Sequence, residues 1–219
     1  MQLSTFEFLT ALKQNNNREW FSDNKETYEK AKERAATFFE AVYRELVKVD
    51  AIGKYRMYRI YRDVRFSKDK TPYKNHFSAV FMRAQPHNRG SFYIHLEPGN
   101  SFIGGGFWNP EKEDLLRIRE SIVLEDDLEK ILNNAQLKAT FGILKGETLK
   151  TAPKGFDKEH ERIELIRYKQ FILTKPFSDK DVFSDSFIPD IVKVYSVLQP
   201  FFNYMTDVLT TDANGESII

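Results

Sequence analysis

Phe77-Ser78-Ala79-Val80-Phe81-Met82-Arg83, Ser91-Phe92-Tyr93-Ile94-His95-Leu96-Glu97 and Asn100-Ser101-Phe102-Ile103-Gly104-Gly105-Gly106-Phe107 follow one another within a single stretch of the chain. Aromatic, β-branched and polar residues recur there with a period near two, the repeat of a strand with two unlike faces. Residues 55–66 carry the same pattern. The intervening segments, Ser67 to Asn75 and Ala84 to Gly90, contain Pro72, Pro86, Asn88 and Gly90 and suit antiparallel connections. Four strands are therefore expected, at 55–66, 77–83, 91–97 and 100–107, in a central and mainly antiparallel sheet.

Outward from this sheet the period changes to that of helices. Tyr28, Ala31, Ala35, Phe38, Val42 and Leu46 recur at spacings of three and four, with charged residues between them, after the capping types Ser22, Asp23 and Asn24. Phe6, Phe8, Leu9 and Leu12 predict a shorter helix that Asn15-Asn16-Asn17 ends. Beyond the sheet, Asn109-Pro110 followed by Glu111, Glu113 and Asp114 reads as a helix start, with Leu115, Ile118 and Ile122 facing the core. Leu128, Ile131 and Leu132 mark a further short helix. A short helix near Glu161–Tyr168 and a strand at Gln170–Thr174 are expected next. A last helix is read from about Ser186 to Leu209, with Pro189 in its first turn and Pro200 bending or dividing it. These elements compose a single α+β domain over residues 1–209, the helices of both ends packed on the sheet, with residues 210–219 as a flexible tail.

Composition narrows the functions. The chain has 219 residues, 41% of them hydrophobic and 14% aromatic, enough for a sizeable core and unlike a disordered chain. Having no cysteine, it can form neither disulfides, thiolate zinc sites nor iron–sulfur clusters, and it has no cysteine nucleophile. No run approaches the ~18 apolar residues of a membrane span, and the opening segment lacks the pattern of a signal peptide. A cytoplasmic protein without a membrane partner is the expectation.

The net charge of +1 conceals an asymmetry. Residues 54–89 hold ten cations, Lys54, Arg56, Arg59, Arg62, Arg65, Lys68, Lys70, Lys74, Arg83 and Arg89, against Asp63 and Asp69. That segment is +8 and the remainder −7. Such a stretch in a balanced chain means an anion site or a hub of internal salt bridges.

Within it, Arg59-Ile60-Tyr61-Arg62-Asp63-Val64-Arg65-Phe66-Ser67-Lys68-Asp69-Lys70-Thr71-Pro72-Tyr73 fills the pattern R-x-x-R-D-x-R-F-x-x-[DN]-K-x-x-Y at every specified position. This resembles the signature of domain-of-unknown-function family 2461, a mainly bacterial group. Asn17-Arg18-Glu19-Trp20-Phe21, Glu97-Pro98-Gly99 with Gly104-Gly105-Gly106 and Pro110, and Thr151-Ala152-Pro153-Lys154-Gly155-Phe156-Asp157 are similar to the family too. The resemblance covers nearly the whole chain and implies a grouping; it implies no reaction.

If 55–66 is a strand, Arg59, Tyr61, Asp63 and Arg65 share one face, and Arg62 lies on the other with Ile60, Val64 and Phe66. Arg62 would then need a partner in the core. Arg59 and Arg65 flanking Asp63 can grip a planar or phosphate-like anion, Asp63 holding their geometry. Lys70 and Tyr73 belong to a basic loop able to close over it, or to a solvated turn with local ion pairs.

In 91–97, Tyr93, His95 and Glu97 share a face, which makes His95 and Glu97 the candidate acid/base pair. Two potential ligands do not make a metal site, so no metal and no cofactor are expected. Balancing Arg59 or Arg65 is the simpler role for Glu97. His76 is a further candidate for the same pocket; His87 and His160 read as surface residues. Gly104-Gly105-Gly106 lacks the Lys-Ser/Thr of a phosphate loop and reads as a bulge or a close backbone approach. An arginine-lined pocket for a phosphate- or carboxylate-bearing small molecule is the leading expectation. The alternatives are a non-catalytic nucleic-acid- or protein-binding module using the 54–89 surface, since basic residues are interleaved with Tyr55, Tyr58, Tyr61, Phe66 and Tyr73, and a purely structural salt-bridge network.

Overall fold

The computed structural model describes residues 1–212 and 214–219. In chain order its elements are α1 (Leu3–Gln14), α2 (Arg18–Asp23), α3 (Lys25–Leu46), β1 (Ile52–Met57), β2 (Phe77–Arg83), β3 (Ser91–Leu96), β4 (Ser101–Phe107), α4 (Lys112–Leu124), α5 (Asp127–Leu132), α6 (Ala135–Phe141), α7 (Ile163–Ile166), β5 (Phe171–Phe177), α8 (Asp179–Val182) and α9 (Phe187–Thr210). The strands form one antiparallel sheet in the order β1-β2-β3-β4-β5, so every strand pairs with its neighbour in sequence. The fold is α+β. By packing, the chain divides into two compact units. One comprises Met1–Phe81, Tyr93–Ile103 and Pro176–Val192; the other comprises Met82–Phe92, Gly104–Lys175 and Lys193–Ile219. Among the described residues no helix is long and apolar enough to cross a membrane.

The first unit is built on α3. Its three-and-four spacing buries Tyr28, Ala31, Ala35, Phe38, Phe39, Val42 and Leu46 along one side, where α1 and α2 pack. Trp20 and Phe21 belong to a helix of their own, α2, whose start is capped by Asn17: its side chain accepts from the Trp20 amide at 2.9 Å. Asn24 does not cap α3, because its side-chain amide donates back to Trp20 O.

Residues 55–66 are not one strand. β1 ends at Met57, and beyond it the chain folds back on itself. Arg62 N donates to Pro72 O, Lys74 N donates to Ile60 O, and Tyr61 and Tyr73 form an isolated antiparallel bridge. The reason lies in which residues find a core. Ile60 and Tyr73 are buried, the Tyr73 ring stacking on Phe21 with centroids 3.9 Å apart. Phe66, which a continued strand would place on the same face as Ile60, is 97% exposed. Asn16 fixes the returning arm from both sides: it donates to Tyr73 O at 2.9 Å and accepts from Tyr73 N at 3.1 Å.

In the second unit, α4 begins at Lys112, two residues after Pro110, with no side-chain cap. Asn109 instead accepts from the Gln170 side chain. Ile118 and Ile122 are buried as their spacing predicts. The glycine triplet permits close approach. A Cβ on Gly105 would lie 2.4 Å from Leu198 Cδ1, and one on Gly106, at φ +144°, would lie 2.0 Å from Phe171 O. α9 runs through Pro200 without dividing. After it, Ile218 N donates to Thr210 O at 2.9 Å.

Candidate functional site

The alternation of β3 sends Phe92, Ile94 and Leu96 into the core and aligns Tyr93, His95 and Glu97 on the opposite face. On that face the three side chains form a chain of contacts. Tyr93 Oη lies 3.2 Å from His95 Nδ1, and His95 Nε2 lies 3.0 Å from Glu97 Oε2. Because β2 neighbours β3, the residues just before β2 arrive at the same place. The His76 ring sits against His95 with centroids 4.0 Å apart, and Asn75 donates to Glu97 Oε1 at 2.6 Å. From β4, Phe102 stacks on the His95 ring at 4.7 Å. Asn100 donates to Glu97 Oε2 at 3.0 Å, and Lys13 approaches Glu97 Oε1 at 3.7 Å. Each of these groups belongs to the first unit.

Burial sets the protonation states. His95 is 8% exposed. Desolvation lowers its pKa, while the hydrogen bond and charge of Glu97 oppose that shift. His76 is pushed down to about 3 by burial, then by His95 and Lys74. Both imidazoles are thus neutral at pH 7. Burial works to raise the Glu97 carboxyl, but the hydrogen bonds from His95 and Asn100 outweigh it and hold the pKa below its ordinary value. A carboxylate fixed on a neutral imidazole can handle a proton.

Lys74 is half-buried beside this group. Desolvation, then the charges of Arg59 and Arg62, lower its pKa. Its ammonium stands over the Tyr58 ring, 5.3 Å from the centroid, and has no carboxylate partner among the described residues.

The arginines occupy three settings. Arg59 is exposed. Arg62 is partly buried and donates from Nη1 to Asp69 and to Thr71 Oγ1. Arg65 makes a two-pronged bond to Asp63, from Nε at 2.9 Å and Nη2 at 2.6 Å, at the exposed surface. Lys70 donates to Val64 O. Since 58–66 is not a strand, Arg59, Asp63 and Arg65 do not share a strand face, and Arg62 is not in an apolar one. Glu97 is balanced by Lys13, Asn75, Asn100 and His95, and the expectation of Arg59 or Arg65 beside it is corrected accordingly. Tyr73 is buried against Phe21.

The sequence brought out His95, Glu97 and His76 but left Lys13, Asn75 and Asn100 unmarked. The position of Asn75, directly before His76 and a predicted strand, was the one available signal. Lys13, more than eighty residues from Glu97, carried none.

Comparison with curated proteins and with solved structures gave no match. A family model described as "Conserved hypothetical protein (DUF2461)" matches residues 4–204. With nearly the whole chain inside that match, the protein belongs to the DUF2461 family.

Proposed function

We propose that the protein binds a phosphate- or carboxylate-bearing small molecule beside the His76–His95–Glu97 group. The observation that carries this reading is Lys74: half-buried, without a carboxylate partner among the described residues, and facing the like charges of Arg59 and Arg62. Cations gathered this way repel one another until an anion arrives, so a ligand anion is stabilised there more than at a balanced surface. In this reading Lys74, Arg59 and Arg62 hold the anion. Asp63 and Asp69 orient Arg65 and Arg62, and Lys70 and Tyr73 shape the arms of the loop. His95 and Glu97 are the proton-handling pair facing the bound molecule, in keeping with their hydrogen bond and the neutral imidazole.

The test is the melting temperature of the protein at fixed ionic strength against phosphorylated metabolites, dicarboxylates, nucleotides and short oligonucleotides. A ligand at a hundredfold excess over its Kd stabilises by about 2.7 kcal/mol. A selective rise that disappears in folded Lys74→Met supports the reading; a flat panel removes it. The exposed Phe66 and Tyr61 among the basic residues favour nucleic acid as the second reading. Salt separates the two. Oligonucleotide affinity falls with a log–log slope near −0.7 per phosphate contacted on a single strand, which for several contacts far exceeds the loss from a one-anion pocket.

A further inference from the structure

We infer that His76, His95 and Glu97 form a binding site for a divalent transition-metal cation of the zinc class. Each offers one ligand atom, and the three atoms lie within 4.8 Å of one another. Zinc-class ions take imidazole nitrogen at ~2.0–2.1 Å and carboxylate oxygen at ~2.0–2.2 Å, which puts two ligands of one tetrahedral ion roughly 3.3 Å apart. The 3.0 Å between His95 Nε2 and Glu97 Oε2 is already close to that separation. The remaining adjustment falls on His76, whose ring rests against His95 and makes no hydrogen bond among the described residues. A turn of that one side chain closes the triad. Two imidazoles and a carboxylate without thiolate suit zinc, cobalt or nickel better than calcium or magnesium, which prefer all-oxygen shells.

The surroundings are those of a ligand set held from behind. Glu97 is fixed through both oxygens by Asn75 and Asn100, and His95 Nδ1 by Tyr93 Oη. Outer partners of this kind orient metal ligands and set the tautomer. On binding, His95 keeps its single proton, which moves from Nε2 to Nδ1 and is donated to Tyr93 Oη. The Tyr93 hydroxyl also has Ser78 as a hydrogen-bond neighbour, so it can accept from the imidazole. No net proton need be released by His95. Two neutral imidazoles and one carboxylate leave the occupied site with a net charge of +1, and three protein ligands leave a fourth position open, as in catalytic rather than structural zinc sites. The proposed anion fits that position on charge, and in the loaded protein the cation takes the electrophilic role while Nε2 of His95 is no longer free to move a proton. The inference rests on the reading above only for what fills the fourth position; occupancy by the metal is independent of it.

The experiment uses the full chain stripped with a chelator and contains no anionic metabolite. Zn²⁺ is titrated calorimetrically, and the ring nitrogens of all four histidines are followed by NMR as Zn²⁺ is added. Expected are one ion per chain and shifts confined to His76 and His95. Affinity should fall by on the order of a hundredfold or more in His76→Ala and Glu97→Gln, and by roughly tenfold in the positioning variant Tyr93→Phe. The NMR measurement on the parent protein stands even if a variant fails to fold. Absence of binding, shifts at His87 or His160 in place of His76 and His95, or a folded His76→Ala that retains full affinity would each overturn the inference. Should Zn²⁺ fail to bind while the anion panel still gives a Lys74-dependent rise, the metal inference falls and the anion reading stands; the reverse result separates them in the other direction.

Discussion

Arg83 and Arg65 come from the same basic stretch of sequence, yet Arg83 is 4% exposed and the Arg65 side chain is 76% exposed. Arg83 is held by residues far along the chain. Its Nη1 donates to Thr206 Oγ1 at 3.2 Å and Arg89 O at 3.3 Å, its Nη2 donates to Asn203 Oδ1 at 3.1 Å, and it lies over the Phe202 ring. Arg89 likewise pairs with Asp114 of α4 in a partly buried bond. Arg62 and Arg65 take their carboxylates from seven and two residues away, on the surface of their own loop. Arg83 on a core strand and Arg89 in the connection that follows it recruit distant partners and become part of the fold. Arg62 and Arg65, on the loop after β1, are satisfied by carboxylates of the loop itself.

The largest effect expected from this contrast is at Arg83. Arg83→Ala takes the Arg83 donor from Arg89 O and Asn203 Oδ1 and leaves Thr206 Oγ1 with the Arg89 amide, and at ~1–3 kcal/mol for each buried group left unpaired a loss of about 3 kcal/mol is expected. For a chain of this size that lowers Tm by roughly 6–12 °C, read by calorimetry. A shift within experimental error would break the comparison. A double-mutant cycle with Asn203→Ala sharpens it, since residues in one network should couple by ~0.5–3 kcal/mol. Next in size is Arg89→Ala, which frees the partly buried Asp114. A loss of ~1–3 kcal/mol is expected by urea denaturation, reduced in Arg89→Ala/Asp114→Asn.

A third effect is in the pH dependence of the chelator-treated protein. The His76 pKa is about 3 in the folded chain against an ordinary 6.5, and His95 is shifted in the same direction. Between those values the unfolded chain binds more protons than the folded one. The neutral histidines therefore contribute their full stability above pH 6.5, and it is lost progressively as pH falls toward 3. Tm should decline over that window, and His76→Gln should decline less steeply; parallel curves would refute the assignment. The smallest effect belongs to the loop. Arg65→Ala should leave Tm unchanged at pH 7, because its pair with Asp63 is exposed and screened. A clear destabilisation there would erase the distinction between the two groups of arginines.

Much of the fold was legible because it depends on local periodicity. The three-and-four spacing of α3, the alternation at the start of β3, and the buried Ile118 and Ile122 of α4 each follow from side chains sorting between core and water within one element, whereas β2 and β4 are buried at nearly every position. The same alternation put Tyr93, His95 and Glu97 on one face. It misled at 58–66, where the pattern persists but no continued strand forms. Arginine and tyrosine tolerate either face, so period two in such residues specifies register weakly. Asn24 and Asn109 illustrate the related limit of capping signals: both are capping types, and both gave their side chains to other partners.

The α+β class, the strand pattern around β3, the absence of thiol chemistry and the family are all readable from the linear chain. They are readable because composition and short-range periodicity act within a few residues. Only the tertiary structure decided which charges matter. It brought His76 and Asn75 to β3, set Lys13 against Glu97, anchored Arg83 on Thr206 and Asn203, and left Lys74 without a carboxylate partner among the described residues. The physical reason is that a buried charge or imidazole is governed by the few groups within hydrogen-bonding distance. Which groups those are depends on strand order and packing, and a linear spacing does not contain either.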